Sequence, residues 1–115
     1  MYRFRYACAA RTSRTTLGTV DYDFTDHARR EMGAEPLGPI GVEEALRALR
    51  TGEIIEEYPD DEPYASCLIL GRTDTGRPLH LVCAPVTAEQ RLIVITVYEP
   101  DPRRWDSEFR RRRPS

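Results

Sequence analysis

The sequence has 115 residues, the size of one domain, and 40% of them are hydrophobic while 31% are charged, as in an ordinary globular protein. No apolar run approaches the roughly 20 residues of a membrane-spanning helix, and the formal charge of −2 does not indicate a polyanionic partner. Three cysteines without a CxxC pair argue against a disulfide framework and a zinc ribbon, so we expect a reducing, cytoplasmic setting.

The first 20 residues differ in character from the rest of the chain. They are basic and polar, contain no acidic residue, and offer only a short alternating run, "MYRFRY", that fits a strand. We expect residues 1–20 to be a flexible N-terminal extension. A single domain is predicted over residues 21–105, followed by a basic C-terminal tail, residues 106–115.

Two helices are predicted in the first half of the domain. Thr25 and Asp26 are typical helix-capping residues and indicate a helix over about residues 26–34. The stretch 33–41 holds two prolines and three glycines, so it is a predicted loop. A second helix, residues 42–52, is indicated by an apolar stripe at helical spacing: Val42, Ala45, Leu46 and Leu49.

Four strands are predicted in the second half, where the apolar period becomes extended. They cover residues 53–58, 66–72, 78–84 and 91–98, and the last is the most apolar and β-branched, which favours a central position. Short turns between them imply antiparallel hairpins. The prediction is an α+β domain in which two N-terminal helices pack on a four-stranded, mainly antiparallel sheet.

His27, one of two histidines, lies near the start of the first predicted helix. Arg30 and Glu31 follow at i+3 and i+4, on the same helical face. A histidine that moves a proton and an arginine that stabilises charge on a phosphate would suit phosphoryl chemistry. The alternative is a partly exposed histidine with an ordinary glutamate neighbour.

The second histidine, His80, lies in an apolar strand, where alternation places it on the face opposite Leu79 and Leu81. On the last strand, one predicted face holds two apolar and two polar residues: Leu92, Val94, Thr96 and Tyr98. If the helices cover the other face, then His80, Thr96 and Tyr98 project together and offer an acid/base group, hydroxyls and a ring that stacks on bases. The alternatives are a hydrogen-bonded structural histidine and a half-buried polar strand face.

All 17 basic residues are arginines, which suit bidentate phosphate recognition. The candidate RNA contacts are Arg29 in the first helix and three residues of the C-terminal run: Arg110, Arg111 and Arg112. A solvated charged tail, or contact with an acidic protein, is the alternative for that run.

Cys67 and Cys83 fall on strands that we expect to pair, and we interpret them as small buried residues. A redox pair or metal ligands are the alternative. The sequence contains no Gly-rich phosphate loop, no HExxH and no GxSxG motif. The sequence therefore does not support a nucleotide-dependent enzyme, a zinc hydrolase or a serine hydrolase.

Four segments in this order carry a family resemblance: "DFTDHA", "VEEALRALRTGEIIEEYPDD", "GRPLHLV" and "ITVYEPDPRRW". Over about residues 22–105 the sequence resembles a bacterial family known as domain of unknown function 4258. That family is similar to the RelE/BrnT-type toxins, small α+β proteins that cleave RNA without a metal. The resemblance implies a toxin-like, metal-independent endoribonuclease of a toxin–antitoxin system that uses no metal and no cofactor, with RNA such as ribosome-associated mRNA as substrate and an antitoxin protein as partner.

In such enzymes the ribose 2′-hydroxyl attacks the adjacent phosphate while the protein supplies acid/base groups and cations. The resemblance makes His27 and His80 the acid/base candidates, Arg30 the cationic group, and Thr96 or Tyr98 lining residues. One position departs from the family pattern His-Ala-x-x-Arg-Met, because Glu31 stands where the arginine is expected. The alternative function is a non-catalytic member of the same fold, impaired by Glu31, that binds a protein or nucleic acid.

Overall fold

A computed structural model of the chain describes residues 21–114, so the predicted N-terminal extension and Cys8 lie outside the described residues. Within this range the elements are β1 (Asp21–Phe24), α1 (Asp26–Gly33), α2 (Val42–Arg50), β2 (Glu53–Tyr58), β3 (Ser66–Arg72), β4 (Pro78–Val86), a 3-10 turn (Thr87–Glu89) and β5 (Arg91–Tyr98). No helix of this part of the chain is long and apolar enough to cross a membrane.

The strands form one mixed sheet in the order β1-β5-β4-β3-β2. Strands β2 to β5 make an antiparallel meander, whereas β1 runs parallel to β5, with Phe24 opposite Val94. The α+β class and the two helices are confirmed, but the prediction of four strands is wrong. The sequence did not predict strand β1, because it is four residues long and pairs with a strand about 70 residues away. Strand β5 is interior as predicted, although β4 is the middle strand.

Both helices cover the same face of the sheet and bury small and apolar residues there. In α1 these are Ala28 and Met32, and in α2 they are Ala45, Ala48 and Leu49. Helix α2 approaches β3 so closely that a Cβ atom on Gly71 would overlap the backbone carbonyl of Ala48. Glycine at this position therefore lets the helix lie directly on the strand.

A β-bulge in β5 resets which side chains face the helices. Val82 of β4 lies opposite Thr96, but the next residue, Cys83, lies opposite Val94, so Ile95 is an extra residue. Leu92, Val94 and Val97 all belong to the helix-side core. The prediction that Leu92 and Val94 share a face with Thr96 and Tyr98 is therefore wrong. It assumes strict alternation along β5, and the extra residue Ile95 breaks that alternation.

The chain after β5 crosses the sheet face that the helices leave uncovered, which we call the open face. Trp105 is buried there and forms an isolated antiparallel bridge with Arg112. On either side of this bridge the Arg113 N–H donates to the Arg104 carbonyl (2.7 Å), and the Asp106 N–H donates to the Arg111 carbonyl (2.9 Å). Residues 104–113, which include most of the predicted tail, thus form a small hairpin against the domain, here called the C-terminal hairpin.

Candidate functional site

The two histidines lie on opposite sides of the sheet. His27 is on α1, in the helix layer, while His80 is on β4 beneath the C-terminal hairpin. His80 alternates with Leu79 and Leu81, which belong to the helix-side core, and so its side chain points to the open face. The structure therefore does not bring the two predicted acid/base residues together.

Helix α1 completes the hydrogen bonding of β5 beyond the point where β1 ends. The last β1 residue, Phe24, pairs with Val94. Thr25 then continues the contact: its N–H donates to the Val94 carbonyl (3.0 Å) and its hydroxyl donates to the Ile95 carbonyl (3.2 Å). The same Thr25 hydroxyl accepts from the Ala28 N–H (3.0 Å) and caps α1, as its position in the sequence predicted.

Two glutamates extend this arrangement along the same edge of β5. Glu31 Oε1 accepts a hydrogen bond from the Val97 N–H (2.9 Å), and Glu35 Oε1 accepts one from the Glu99 N–H (3.1 Å). These two carboxylates accept hydrogen bonds from N–H groups that a longer β1 would otherwise bind. Glu31 is thus a structural acceptor between α1 and β5.

His27 stands next to Glu31 but is only loosely connected to it. The distance from His27 Nε2 to Glu31 Oε1 is 3.8 Å, and the His27 side chain is 60% exposed. That oxygen atom already accepts from the Val97 N–H. Arg29 and Arg30 are exposed on the same helix, and the Arg29 guanidinium lies 5.7 Å from the centre of the Phe24 ring.

His80, in contrast, is fully enclosed and uses both ring nitrogens. Nε2 lies 2.8 Å from the Phe109 carbonyl, and Nδ1 lies 3.1 Å from the Tyr98 hydroxyl. The carbonyl can only accept, so Nε2 carries the hydrogen and the Tyr98 hydroxyl donates to Nδ1. The Trp105 ring packs edge-on against the imidazole, with centroids 4.4 Å apart. Burial lowers the pKa of His80, and the neutral form is favoured.

A charged network surrounds this histidine on the open face. Arg112 donates two hydrogen bonds to the Glu56 carboxylate, each 3.0 Å long, and Tyr58 donates a third of 2.6 Å. Burial alone would raise the pKa of Glu56, but the hydrogen bonds from Arg112 and Tyr58 outweigh it and hold the pKa below its usual range. The Arg112 guanidinium also lies 4.7 Å from the Trp105 ring centre.

The open face therefore contains a satisfied polar network. Thr96 lies on the open face, beside Tyr98 and opposite Val82, so His80, Thr96 and Tyr98 share a face as predicted. Burial raises the pKa of Tyr98, whose hydroxyl is committed to His80. Strongly perturbed groups mark functional sites and structural networks alike, and here the internal partners favour a structural role. The sequence did not predict the roles of Glu56 and Tyr58. Glu56 meets Arg112 only because the C-terminal hairpin folds back onto the sheet, and Tyr58 donates to that same carboxylate.

The four predicted RNA contacts differ in their availability. Arg110 forms an ion pair with Glu53 of β2, and Arg112 is held by Glu56. Arg29 is exposed over Phe24. Arg111 is exposed too, and its side chain has neither an ion pair nor a hydrogen bond with the residues described. Two of the four cations are therefore paired with carboxylates of the same domain.

The two cysteines of the described range lie in the core rather than in a site. Cys67 and Cys83 face each other on β3 and β4 and are completely buried. Burial raises the pKa of the Cys83 thiol well above its ordinary value, which keeps it in the unreactive thiol form. Over residues 21–114 no group of three or more histidine, cysteine or carboxylate side chains is arranged to hold a metal ion.

Comparison with known protein families identifies the family of this chain. Neither a curated protein nor a solved structure matches the sequence. A family model described as a domain of unknown function, DUF4258, matches residues 24–99. The matched region runs from the end of β1 to the residue after β5 and includes His27, Glu31 and His80, whereas the C-terminal hairpin follows it. The match covers well over half of the chain, and the protein therefore belongs to the DUF4258 family.

Proposed function

We propose that this domain is a cytoplasmic RNA-binding protein that does not cleave RNA through its two histidines. The observation that supports this is the position of the sheet between His27 and His80. Cleavage that used one histidine as base and the other as acid would need both to reach one phosphorus centre, within hydrogen-bond distance of the oxygens that react. Groups on opposite faces of a sheet do not meet that requirement.

The choice of RNA as ligand is supported by the basic side chains. Every one of the 17 basic residues is an arginine, whose planar guanidinium matches phosphate oxygens. Several of these arginines are exposed, on α1 and on the C-terminal hairpin alike. A relationship to RelE/BrnT-type toxins, which the resemblance suggests, is part of this proposal and would make RNA binding the retained half of an ancestral activity.

A second candidate is an endoribonuclease that uses His27 alone, with RNA as substrate and an antitoxin protein as partner. It is favoured by the accessibility of His27, which is 60% exposed. Arg30, also exposed, lies one helical turn away. A single histidine beside an arginine would supply one proton transfer and charge stabilisation, without the second acid/base group.

The experiment compares binding and cleavage in one set of preparations. A fluorescein-labelled 20-nucleotide RNA is titrated with the wild type, His27→Ala and His27→Gln, and parallel samples are run on a gel. We expect binding by all three and cleavage by none. Cleavage by wild type alone would establish the second candidate, while equal cleavage by all three would reveal a contaminating nuclease. Absence of binding by the wild type would refute the proposed function.

A further inference from the structure

The C-terminal hairpin has two faces with different charge environments. Trp105 and Arg112 are bridge partners, so their side chains lie on the same face, which is turned toward the sheet and buries Trp105. The residues before and after them in each arm point the other way. This outer face carries three arginines and one aspartate: Arg104, Asp106, Arg111 and Arg113.

The inner cations are neutralised by the sheet. Arg110 and Arg112 form ion pairs with Glu53 and Glu56, two residues of the edge strand β2. These pairs, together with Trp105, hold the hairpin against the domain. The acidic residues of β2 thus balance the side of the arginine run that faces inward.

The outer cations have few internal partners. Among the residues described, the Arg104 and Arg111 side chains form no ion pair or hydrogen bond, although the charge of Arg104 acts on Asp101. The Arg113 side chain donates only to the Pro102 carbonyl (2.9 Å). The Asp106 carboxylate on this face accepts from the Glu108 and Arg110 N–H groups of the hairpin turn (3.1 and 3.0 Å). One carboxylate used by the turn therefore stands among three exposed guanidinium groups.

We infer that the outer face of the C-terminal hairpin, formed by Arg104, Arg111 and Arg113, binds the phosphodiester backbone of RNA. This inference rests on the proposed function and assigns it to a surface. Opposite residues of an antiparallel pair lie about 5 Å apart and successive same-face residues about 7 Å apart, so the three flexible side chains reach neighbouring phosphates.

The composition of this face favours a phosphate backbone over an acidic protein. A protein interface has an apolar centre surrounded by polar residues, but the outer face is made of arginines and one aspartate only. It also lacks the aromatic ring on which an unpaired base stacks. Binding should consequently be independent of base sequence and should weaken steeply with salt.

The test uses two triple variants of the full chain that change the charge equally. The first is Arg104→Gln/Arg111→Gln/Arg113→Gln, on the outer face. The second, on and beside α2, is Arg47→Gln/Arg50→Gln/Arg72→Gln. All six arginines are exposed, so both variants should retain the wild-type melting temperature to within a few degrees. Affinity for a labelled 20-nucleotide oligouridine is measured by anisotropy between about 50 and about 200 mM salt.

We expect the outer-face variant to bind 10- to 100-fold more weakly at about 0.1 M salt, with a log–log salt slope smaller by about 2, since three single-strand phosphate contacts contribute about 0.7 each. The α2 variant should lose much less affinity, through its net charge alone. Equal effects of the two variants would overturn the assignment of the surface while leaving RNA binding intact. Absence of binding by the wild type would refute both proposals. A polyglutamate peptide that binds the outer face more tightly than oligouridine would also overturn this inference.

Discussion

Replacing Glu31 by methionine should destabilise the domain through a single hydrogen bond. The Glu31 carboxylate accepts from the Val97 N–H at 2.9 Å, at a position of β5 that β1 does not reach. Methionine has almost the same length and helix propensity as glutamate, so α1 itself should be unaffected. The Val97 N–H would lose its acceptor in a partly buried setting.

The magnitude follows from the type of bond. A hydrogen bond to a charged group contributes about 1.5–3 kcal/mol to stability. The Glu31 side chain is 30% exposed, which places the loss near the lower end, at about 1.5 kcal/mol. With an unfolding entropy of about 0.2 kcal/mol/K for a domain of this size, the melting temperature should fall by roughly 7 °C.

The assay is thermal and urea unfolding followed by circular dichroism, with three reference variants. Glu31→Gln keeps an acceptor oxygen at the same place and should lose less than half of this stability. Glu43→Met makes the same change at an exposed residue of α2 and should stay within about 0.5 kcal/mol of the wild type. His27→Ala should also be nearly neutral, because the His27 side chain is 60% exposed and 3.8 Å from Glu31.

Two results would contradict this explanation. If Glu31→Met is as stable as Glu43→Met, the Glu31 carboxylate does not hold β5. If His27→Ala is as destabilising as Glu31→Met, the stabilising partner of Glu31 is the imidazole rather than the Val97 N–H. In either case the function of Glu31 would have to be sought in the site around His27.

Three further predictions concern the helix contact and the open face. Gly71→Ala should cost about 3 kcal/mol or prevent folding, since its Cβ would overlap the α2 backbone, whereas Gly33→Ala, with no atom within 4 Å of its Cβ, should be neutral in the same urea titration. Burial lowers the pKa of His80, so its folded form binds fewer protons; stability should fall as the pH drops from about 7 to about 5, and the loss should be smaller in His80→Gln. A double-mutant cycle of Arg112→Gln and Glu56→Gln should give a coupling of about 1 kcal/mol, measured by tryptophan fluorescence; additive effects would contradict the paired geometry.

The sequence predicted the elements whose signals are local. The apolar stripe of α2 and the four hairpin-connected strands appear where the patterns placed them, within two residues. The features that escaped prediction depend on distant partners. Strand β1 is recognisable only through its pairing with β5, and the bulge at Ile95 differs from regular alternation by one residue.

The same distinction applies to the candidate site. That His80 and Tyr98 share a strand face follows from alternation on neighbouring strands and is correct. The covering of His80 depends on Trp105 and the Phe109 carbonyl, which return to the sheet after a stretch with two prolines. No period or spacing in the sequence encodes that return, so the sequence alone left a hydrogen-bonded structural His80 as one of two alternatives.

Glu31 shows how a non-local requirement can resemble a functional defect. Beside His27, a glutamate in place of an arginine suggests a site that has lost its cation. In the folded protein the position faces an N–H group of β5 that β1 is too short to satisfy, and an arginine has no acceptor to offer it. Glu35 meets the same need at Glu99, from the loop just after α1 ends. The variant Glu31→Arg would therefore weaken the α1–β5 contact while it adds a cation, and a gain of RNA cleavage in that variant is interpretable only alongside its unfolding curve.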